Sequence, residues 1–209
     1  IEKAEEKNHN IYQMNYAKTQ KYDCGSLIHP DFEEQENEVA TKPLLKDVLQ
    51  MAYALSKNHG IGIQFLIEIK SFPEGDLIFH PEPKKFVELV LNEVEKHAEL
   101  KDVCLQSFDY RILNEIKNQQ PKLKTAALSK ENDLAHVLEK LNFTPEIFAP
   151  YYKQVDLKMM QLAKRFNIKV IPYTVNEIED MLNLLQLGVD GIITDYPNRA
   201  LKLKRKTKF

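Results

Sequence analysis

Along this chain, short runs of consecutive apolar and β-branched residues alternate with segments whose apolar residues recur every three or four positions. The first pattern predicts strands and the second amphipathic helices. A helical stretch begins near Pro43, where Leu44, Leu45, Val48, Leu49, Ala52 and Leu55 share a face. Ile63 to Ile69 then reads as a strand, with a helix marked by Phe86, Leu89, Val90 and Val94. Val103 to Phe108 is the next strand, followed by a helix through Ile112, Leu113 and Ile116. Lys124 to Leu128 is a weaker strand, with Leu134, Val137, Leu138 and Leu141 as its helix. Ile147 to Tyr151 precedes a helix with Met159, Leu162, Ala163 and Phe166. Ile168 to Val175 precedes one with Ile178, Met181, Leu182 and Leu185, and Ile192 to Thr194 is the last strand.

The spacing narrows the architecture. Centres near Leu105, Ala127, Ala149, Ile171 and Ile193 fall about 22 residues apart. An evenly repeated strand–helix unit predicts parallel strands joined by crossover helices. The first interval, from Leu66 to Leu105, is longer and holds an inserted loop from Ser71 to His80. An open doubly wound sheet and a closed (β/α)8 barrel both accept this pattern. No Gly-x-Gly-x-x-Gly follows the first strand and no Gly-x-x-x-x-Gly-Lys loop occurs, which removes the main support for a nucleotide-binding sheet. Polar residues gather where strands end: Glu68 and Lys70, Ser107 and Asp109, Ser129, Tyr151, Thr174 and Asn176, Thr194 and Asp195. A barrel gathers such ends into one ring. About six strands are visible where a closed barrel needs eight, so either the sheet is open or two strands are missing at the N-terminal side.

Residues 1–42 are rich in Asn, Gln, Glu and Lys and read as a long connecting or insertion segment; residues 43–209 read as one domain. The 209 residues are 43% hydrophobic and 29% charged, with a net charge of -2, which gives no reason to expect a nucleic-acid partner. No apolar run approaches the roughly 20 residues of a membrane span. The chain starts at Ile1, so an upstream segment is expected, and neither compartment nor oligomeric state can be read. Cys24 and Cys104 lack a metal-ligand spacing, and Cys104 reads as a buried thiol. The basic run Lys202, Lys204, Arg205, Lys206 and Lys208 reads as a frayed solvated tail.

Glu68 and Lys70 interrupt an otherwise apolar strand. Two residues apart on a strand, they share a face, while Ile67 and Ile69 take the other. Charges placed inside a barrel need partners. Two readings fit: a structural ion pair at a strand end, or a metal-ligating carboxylate beside a phosphate-binding lysine. Gln106 and Phe108 share a face of their own strand, where substrate contact and packing are equally open. Asn176 fits a loop tie or a helix cap.

Four strings, in order, carry a resemblance. Ile67-Glu68-Ile69-Lys70 resembles the E-I-K strand of the glycerophosphodiester phosphodiesterase family. Gln106-Ser107-Phe108-Asp109 is similar to its S-F-D strand end, and Tyr173-Thr174-Val175-Asn176 to its W-T-V-N. Gly188 to Pro197 resembles its closing G-V-D-G-I-I-T-D-x-P. Lys42-Pro43-Leu44 through Leu49 resembles the segment before the E-I-K strand, and the likeness runs to Pro197.

The resemblance implies a TIM-type (β/α)8 barrel that hydrolyses glycerophosphodiesters to glycerol 3-phosphate and an alcohol, using a divalent cation, magnesium or calcium. It implies that Glu68 is one of three carboxylate ligands and that Lys70 contacts the phosphate. Tyr173, in place of the family's Trp, lines the substrate pocket; Gln106, Phe108 and Asn176 are further substrate-side candidates. The family's H-R-G, E-x-D and H-D motifs, which supply two catalytic histidines and two more carboxylates, do not stand ahead of Glu68. None of His9, His29, His59, His80, His97 and His136 lies in such a context. The chain therefore reads as the C-terminal three-quarters of such a barrel, inactive alone; a relative that binds without catalysis is the alternative.

Overall fold

The computed structural model describes residues 6–32, 34–131 and 133–206. These residues fall into two compact units, one from the ranges 6–63 and 73–98 and the other from 64–72 and 99–206. The basic residue Lys208 and the charged start at Glu2, Lys3 and Glu5 lie outside the described residues.

In the first unit, helices α1 (Tyr16–Thr19), α2 (Leu45–His59) and α3 (Pro83–His97) are joined by long loops. Leu49 of α2 and Val87, Leu91 and Val94 of α3 are buried, and the two helices pack together. Helix α2 stops at Gly60, whose φ of 62° is the left-handed conformation that glycine adopts without steric cost. Of the segment 1–42 read as a long connection, Glu6–His9, Ile11–Gln13 and Tyr16–Thr19 form short helices, whereas the described residues from 20 on form a loop with no helix or strand. That loop is organised by Asp23, whose carboxylate accepts the Gly25, Ser26 and Ala40 N–H groups. The Ser26 hydroxyl's hydrogen bond, and then those backbone N–H groups, hold the Asp23 carboxyl well below the usual range.

The second unit contains five parallel strands: β1 (Phe65–Glu68), β2 (Val103–Ser107), β3 (Lys124–Ser129), β4 (Ile147–Pro150) and β5 (Lys169–Val170). Their spatial order, β1-β2-β3-β4-β5, is their order in sequence. A doubly wound sheet reverses direction at a switch point; an unbroken sequential order is the winding of a TIM-type barrel. Between and after the strands come α4 (Tyr110–Gln119), α5 (Leu134–Lys140), α6 (Leu157–Arg165), α7 (Ile178–Leu187) and α8 (Pro197–Lys206). Three of these begin the same way. Asp109, Asp133 and Asp156 stand at the N-caps and accept the N–H of Arg111, His136 and Met159 at 3.1, 2.9 and 2.7 Å. Each cap satisfies a donor the helix leaves free and places a carboxylate at its positive end.

The helix stripes read from the sequence face inward in part: Ile112, Leu113, Ile116, Leu134, Val137, Leu141, Met159, Ala163 and Met181 are buried, whereas Leu55, Leu89, Phe166 and Ile178 are exposed. Leu105, Ala127, Phe148 and Val170 of the strands are buried. Each such large side chain contributes about 1.5–3 kcal/mol by leaving water.

Three expectations change. The strand expected over Ile168 to Val175 keeps a regular ladder only at Lys169–Val170, with one further bridge between Tyr151 and Tyr173. Pro172 sits between them and has no N–H to give the ladder. The expected last strand, Ile192 to Thr194, is not a regular strand. It still runs beside β5, through Asp190 N to Val170 O at 2.9 Å, Ile193 N to Pro172 O at 2.9 Å and Val175 N to Ile193 O at 2.8 Å. The basic tail does not fray at Lys202 but continues as α8 to Lys206.

Glu146, just before β4, clamps the base of the sheet. Its carboxylate accepts the Thr125 N–H at 2.7 Å, the Thr125 hydroxyl at 3.0 Å and Lys117 Nζ at 2.7 Å. Burial pushes its pKa up, but Lys117 and the Thr125 N–H outweigh that and hold it below the ordinary value. Its contribution is present above the unfolded-state pKa and disappears as pH falls through the lower folded-state pKa. Glu146→Ala strands the fully buried Thr125 donors, so urea unfolding at pH 7 is expected to show a loss of about 2 kcal/mol. Its stability curve should also be flatter than the parent's below pH 4.5, near the usual Glu value. A variant as stable as the parent contradicts the clamp.

Candidate functional site

The site candidates sit where strands of the second unit end. Parallel register sets Glu68 beside Gln106 and Gln106 beside Ala126, so these side chains form one row. Lys70 and Phe108, two positions on, continue the same face. Lys70 Nζ donates to Glu68 Oε1 at 2.8 Å. The Glu68 side chain is 24% exposed and that of Lys70 80%, so the pair spans the sheet end and the solvent.

Beside this pair stands an aromatic wall. Phe108 meets Tyr173 edge to face at 5.5 Å between ring centres. Tyr151 lies 6.5 Å from Tyr173 and 5.1 Å from Tyr152. Edge-to-face pairs add about 0.5–1.5 kcal/mol beyond burial. The Tyr173 hydroxyl donates to Ser129 O at 3.2 Å, which fixes the ring's tilt. Burial, and then the negative charge of Glu68, push the Tyr173 phenol up to about 12, so it stays neutral and donates. Tyr110, which sequence reasoning did not single out, adds to the same effect, and its own hydroxyl donates to Leu128 O at 3.3 Å. Its place in the first turn after the Asp109 cap is the signal that could have found it.

Two motifs do structural work. The buried Ser107 hydroxyl donates to Ile69 O at 2.7 Å and accepts the Asp109 N–H at 3.1 Å. Asp109 then takes Ser71 Oγ at 2.9 Å and Arg111 Nη2 at 2.7 Å, besides capping α4. Burial raises the Asp109 pKa, but the Arg111 and Ser71 hydrogen bonds bring it below the ordinary carboxylate value. At the other edge, Asn176 Oδ1 accepts the Asp195 N–H at 3.0 Å and the Thr194 hydroxyl at 3.2 Å, and its Nδ2 donates to Asp195 Oδ2 at 2.9 Å. Asn176 thus ties a loop. The N-cap of α7 is Glu177, which makes no side-chain cap bond.

Gln106 is buried, 8% exposed, and its Oε1 has no hydrogen-bond partner. Of the histidines, His97 and His136 lie on α3 and α5, and His80 is buried with Nδ1 3.0 Å from Pro81 O.

A divalent cation was the expectation at Glu68. Among the described residues no three or more His, Cys, Asp or Glu side chains come together to hold a metal ion. Hard cations take six or more oxygens in the case of calcium and a near-octahedral set for magnesium. Glu68, with an ammonium already on one oxygen, does not fit such an ion by itself.

A phenol whose folded pKa is raised stabilises the fold fully below the unfolded value, near 10, and that contribution is lost as pH rises toward the folded value. Alkaline spectrophotometric titration should therefore show Tyr173→Phe and parent ionising alike to about pH 11, with the parent's one extra tyrosine titrating at a midpoint near 12. An extra tyrosine titrating at a midpoint near pH 10 removes the half-buried, neutral Tyr173.

Residues 2–199 match the family model described as Glycerophosphoryl diester phosphodiesterase family. A Glycerophosphodiester phosphodiesterase of Bacillus subtilis (strain 168) is 28% identical over 90% of this chain, which spans 64% of that relative. One of the same name from Caldanaerobacter subterraneus is 28% identical over 67% of this chain, which spans 55% of its length. The fold is shared with a Silicibacter pomeroyi DSS-3 crystal structure bearing the same family's name, at a TM-score of 0.79 and 26% identity, over 93% of this chain and 68% of that one. An Oleispira antarctica phosphodiesterase, solved with the product sn-glycerol-3-phosphate, aligns at a TM-score of 0.68 and 19% identity, over 94% of this chain and 72% of its own. With the family model covering nearly the whole sequence, the chain belongs to the glycerophosphoryl diester phosphodiesterase family.

Proposed function

We propose that this chain carries the charge-stabilising part of an enzyme that hydrolyses glycerophosphodiesters to glycerol 3-phosphate and an alcohol. The observation that supports it is the Glu68–Lys70 pair at the end of β1, with Glu68 near enough to the Phe108–Tyr173 wall to act on the Tyr173 phenol. Lys70 is the group for the phosphate: its ammonium is mostly solvent-accessible and needs only to swing from Glu68 to meet a phosphoryl oxygen. There it offsets the negative charge that grows on phosphorus as the new P–O bond forms and the bond to the alcohol breaks. Glu68 holds Lys70 in place before substrate arrives, and Phe108 and Tyr173 flank the organic part of the ester.

The proton transfers of this reaction need an acid and a base. The family's histidine motifs do not stand ahead of Glu68, so we assign this chain the binding and charge-stabilising roles alone. Cation dependence belongs in this proposal to a fuller donor set in which Glu68 is one oxygen ligand. The second reading, a barrel relative that binds without hydrolysing, is favoured by the lack of a clustered acidic or histidine set among the described residues.

Calorimetric titration of the purified chain with glycerol 3-phosphate tests the Lys70 assignment. Lys70→Met is expected to weaken binding at least tenfold, about 1.4 kcal/mol, and calcium or magnesium to change the affinity less than twofold. An unchanged Lys70→Met affinity sinks the phosphate assignment. Turnover of glycerophosphocholine separates the two readings: the chain alone is expected to give none, and a longer protein carrying it to give product that Lys70→Met abolishes.

A further inference from the structure

In the first unit a thiol and an amine stand in contact. Lys42 Nζ donates to Cys24 Sγ at 2.9 Å, and both residues are exposed. Their placement does not rest on that contact. Cys24 N donates to Ala40 O at 2.7 Å, and Asp23 Oδ1 accepts the Ala40 N–H at 3.2 Å. Gln20 Nε2 donates to Lys42 O at 2.7 Å, and its Oε1 accepts the Thr41 hydroxyl at 2.7 Å. These bonds pin the segment around Cys24 to the segment ending at Lys42, so sulfur and nitrogen are held together from their backbones. The two side chains also line one cavity of about 550 Å³ with His9, Met14 and Tyr22, which gives a small oxidant access to the sulfur. His9 Nδ1 lies 2.8 Å from the Tyr22 hydroxyl on the same wall. Cys104, the chain's other cysteine, is the contrast. It is 7% exposed, and burial, then Glu146, push its thiol up to about 12. Oxidation needs thiolate and access, and Cys104 has neither.

We propose that Cys24 and Lys42 form a reversible sulfur–nitrogen cross-link when the chain meets a hydroperoxide, stapling the two ends of the loop 25–41. The Cys24 thiolate attacks the O–O bond of the peroxide and the sulfur gives up two electrons. A sulfenic acid forms, and the peroxide is reduced to an alcohol, or to water in the case of hydrogen peroxide. Lys42 Nζ, as the free amine, then attacks the sulfenic sulfur. The S–N bond forms, the S–O bond breaks, and hydroxide leaves as water with a proton from the nitrogen. Sulfenic acids condense with a neighbouring backbone nitrogen in this way, and here the neighbour is an amine already in contact. The chain loses two hydrogens in all. Excess thiol attacks the cross-linked sulfur, returns thiol and amine, and leaves as its own disulfide. Neither residue suffices alone: without Lys42 the sulfenic acid goes on to higher oxidation. The cross-link is independent of the phosphate placement at Lys70.

The test treats the purified chain with a few equivalents of hydrogen peroxide and reads the intact mass. The mass is expected to fall by about 2 units, for two hydrogens lost, and to return with dithiothreitol. Glu34, Glu36 and Glu38 lie between the two residues in sequence. A glutamate-specific protease without reductant therefore cuts the loop, and the piece carrying Cys24 is expected to stay joined to the piece carrying Lys42. Cys24→Ser and Lys42→Met are each expected to abolish the loss of two hydrogens, and Lys42→Met to gain oxygen at Cys24 instead. A parent that gains oxygen without joined pieces, or that does not react, overturns the cross-link. So does a loss of two hydrogens that survives Lys42→Met, the mark of a disulfide with Cys104. If Lys42→Met does not fold, the parent's digest decides by itself: the Cys24 piece joined to the piece carrying Cys104 rather than Lys42 overturns the proposal.

Discussion

The Ser107 hydroxyl holds together the end of the sheet on which everything else is mounted. It reaches across to Ile69 O at 2.7 Å and back to the Asp109 N–H at 3.1 Å, so that β1, β2 and the start of α4 share one atom. Ser107 is fully buried, and the bond it makes lies one residue beyond Glu68 and one before Lys70. The same atom therefore fixes the height at which the Glu68–Lys70 pair leaves the sheet relative to Phe108. Asp109 extends the tie to Ser71 and Arg111, closing the turn on both sides. A weaker joint here would let the charged pair and the aromatic wall drift independently, and positioned charge is worth most when it does not move.

Much of the second unit was legible because its repeat is regular. The interval of about 22 residues, the helices and the β-branched runs from Phe65 to Pro150 matched elements that formed. The irregular parts were harder to read. Pro172 interrupts the ladder of β5 where an apolar run read as continuous, and Ile192 to Thr194 bonds to its neighbour without regular strand geometry. Apolar pattern reports burial, and burial does not require an unbroken ladder. The candidate site was legible in its charges, since Glu68 and Lys70 are conspicuous in an apolar strand. It was not legible in its satisfaction. That Gln106 is left without a partner while Asn176 is fully engaged depends on distances between segments far apart in sequence, which no local pattern carries.

The strings that marked the family divide by physical role. In Gln106-Ser107-Phe108-Asp109, Ser107 and Asp109 tie strand to helix, while Phe108 and Gln106 face the row of Glu68. In the closing string, Gly188 ends α7 with a φ of 87°, and Asp190 accepts the Val170 N–H at 2.8 Å, supplying a partner for the first part of β5. Gly191 packs against Ile171, where an added Cβ would meet it at an ordinary contact distance of 3.6 Å. Such residues make the motif recognisable without touching a ligand, so their presence is evidence for the fold. Evidence for chemistry comes from the remainder: one carboxylate, one ammonium, one unsatisfied amide and a flat aromatic wall.

Those four features set the electrostatic character of the site. Glu68 and Lys70 cancel at close range, and Tyr173 stays neutral because its partial burial, and then Glu68, oppose ionisation. The resting site thus has donors and acceptors but little net charge. An arriving phosphate changes this balance: it competes with Glu68 for Lys70, and the freed carboxylate then faces an anion. That repulsion is unfavourable unless Glu68 gains another positive partner. The Lys70–Glu68 bond at 2.8 Å is therefore the contact that an arriving phosphate must displace, and its loss leaves the half-buried Glu68 carboxylate without its compensating ammonium.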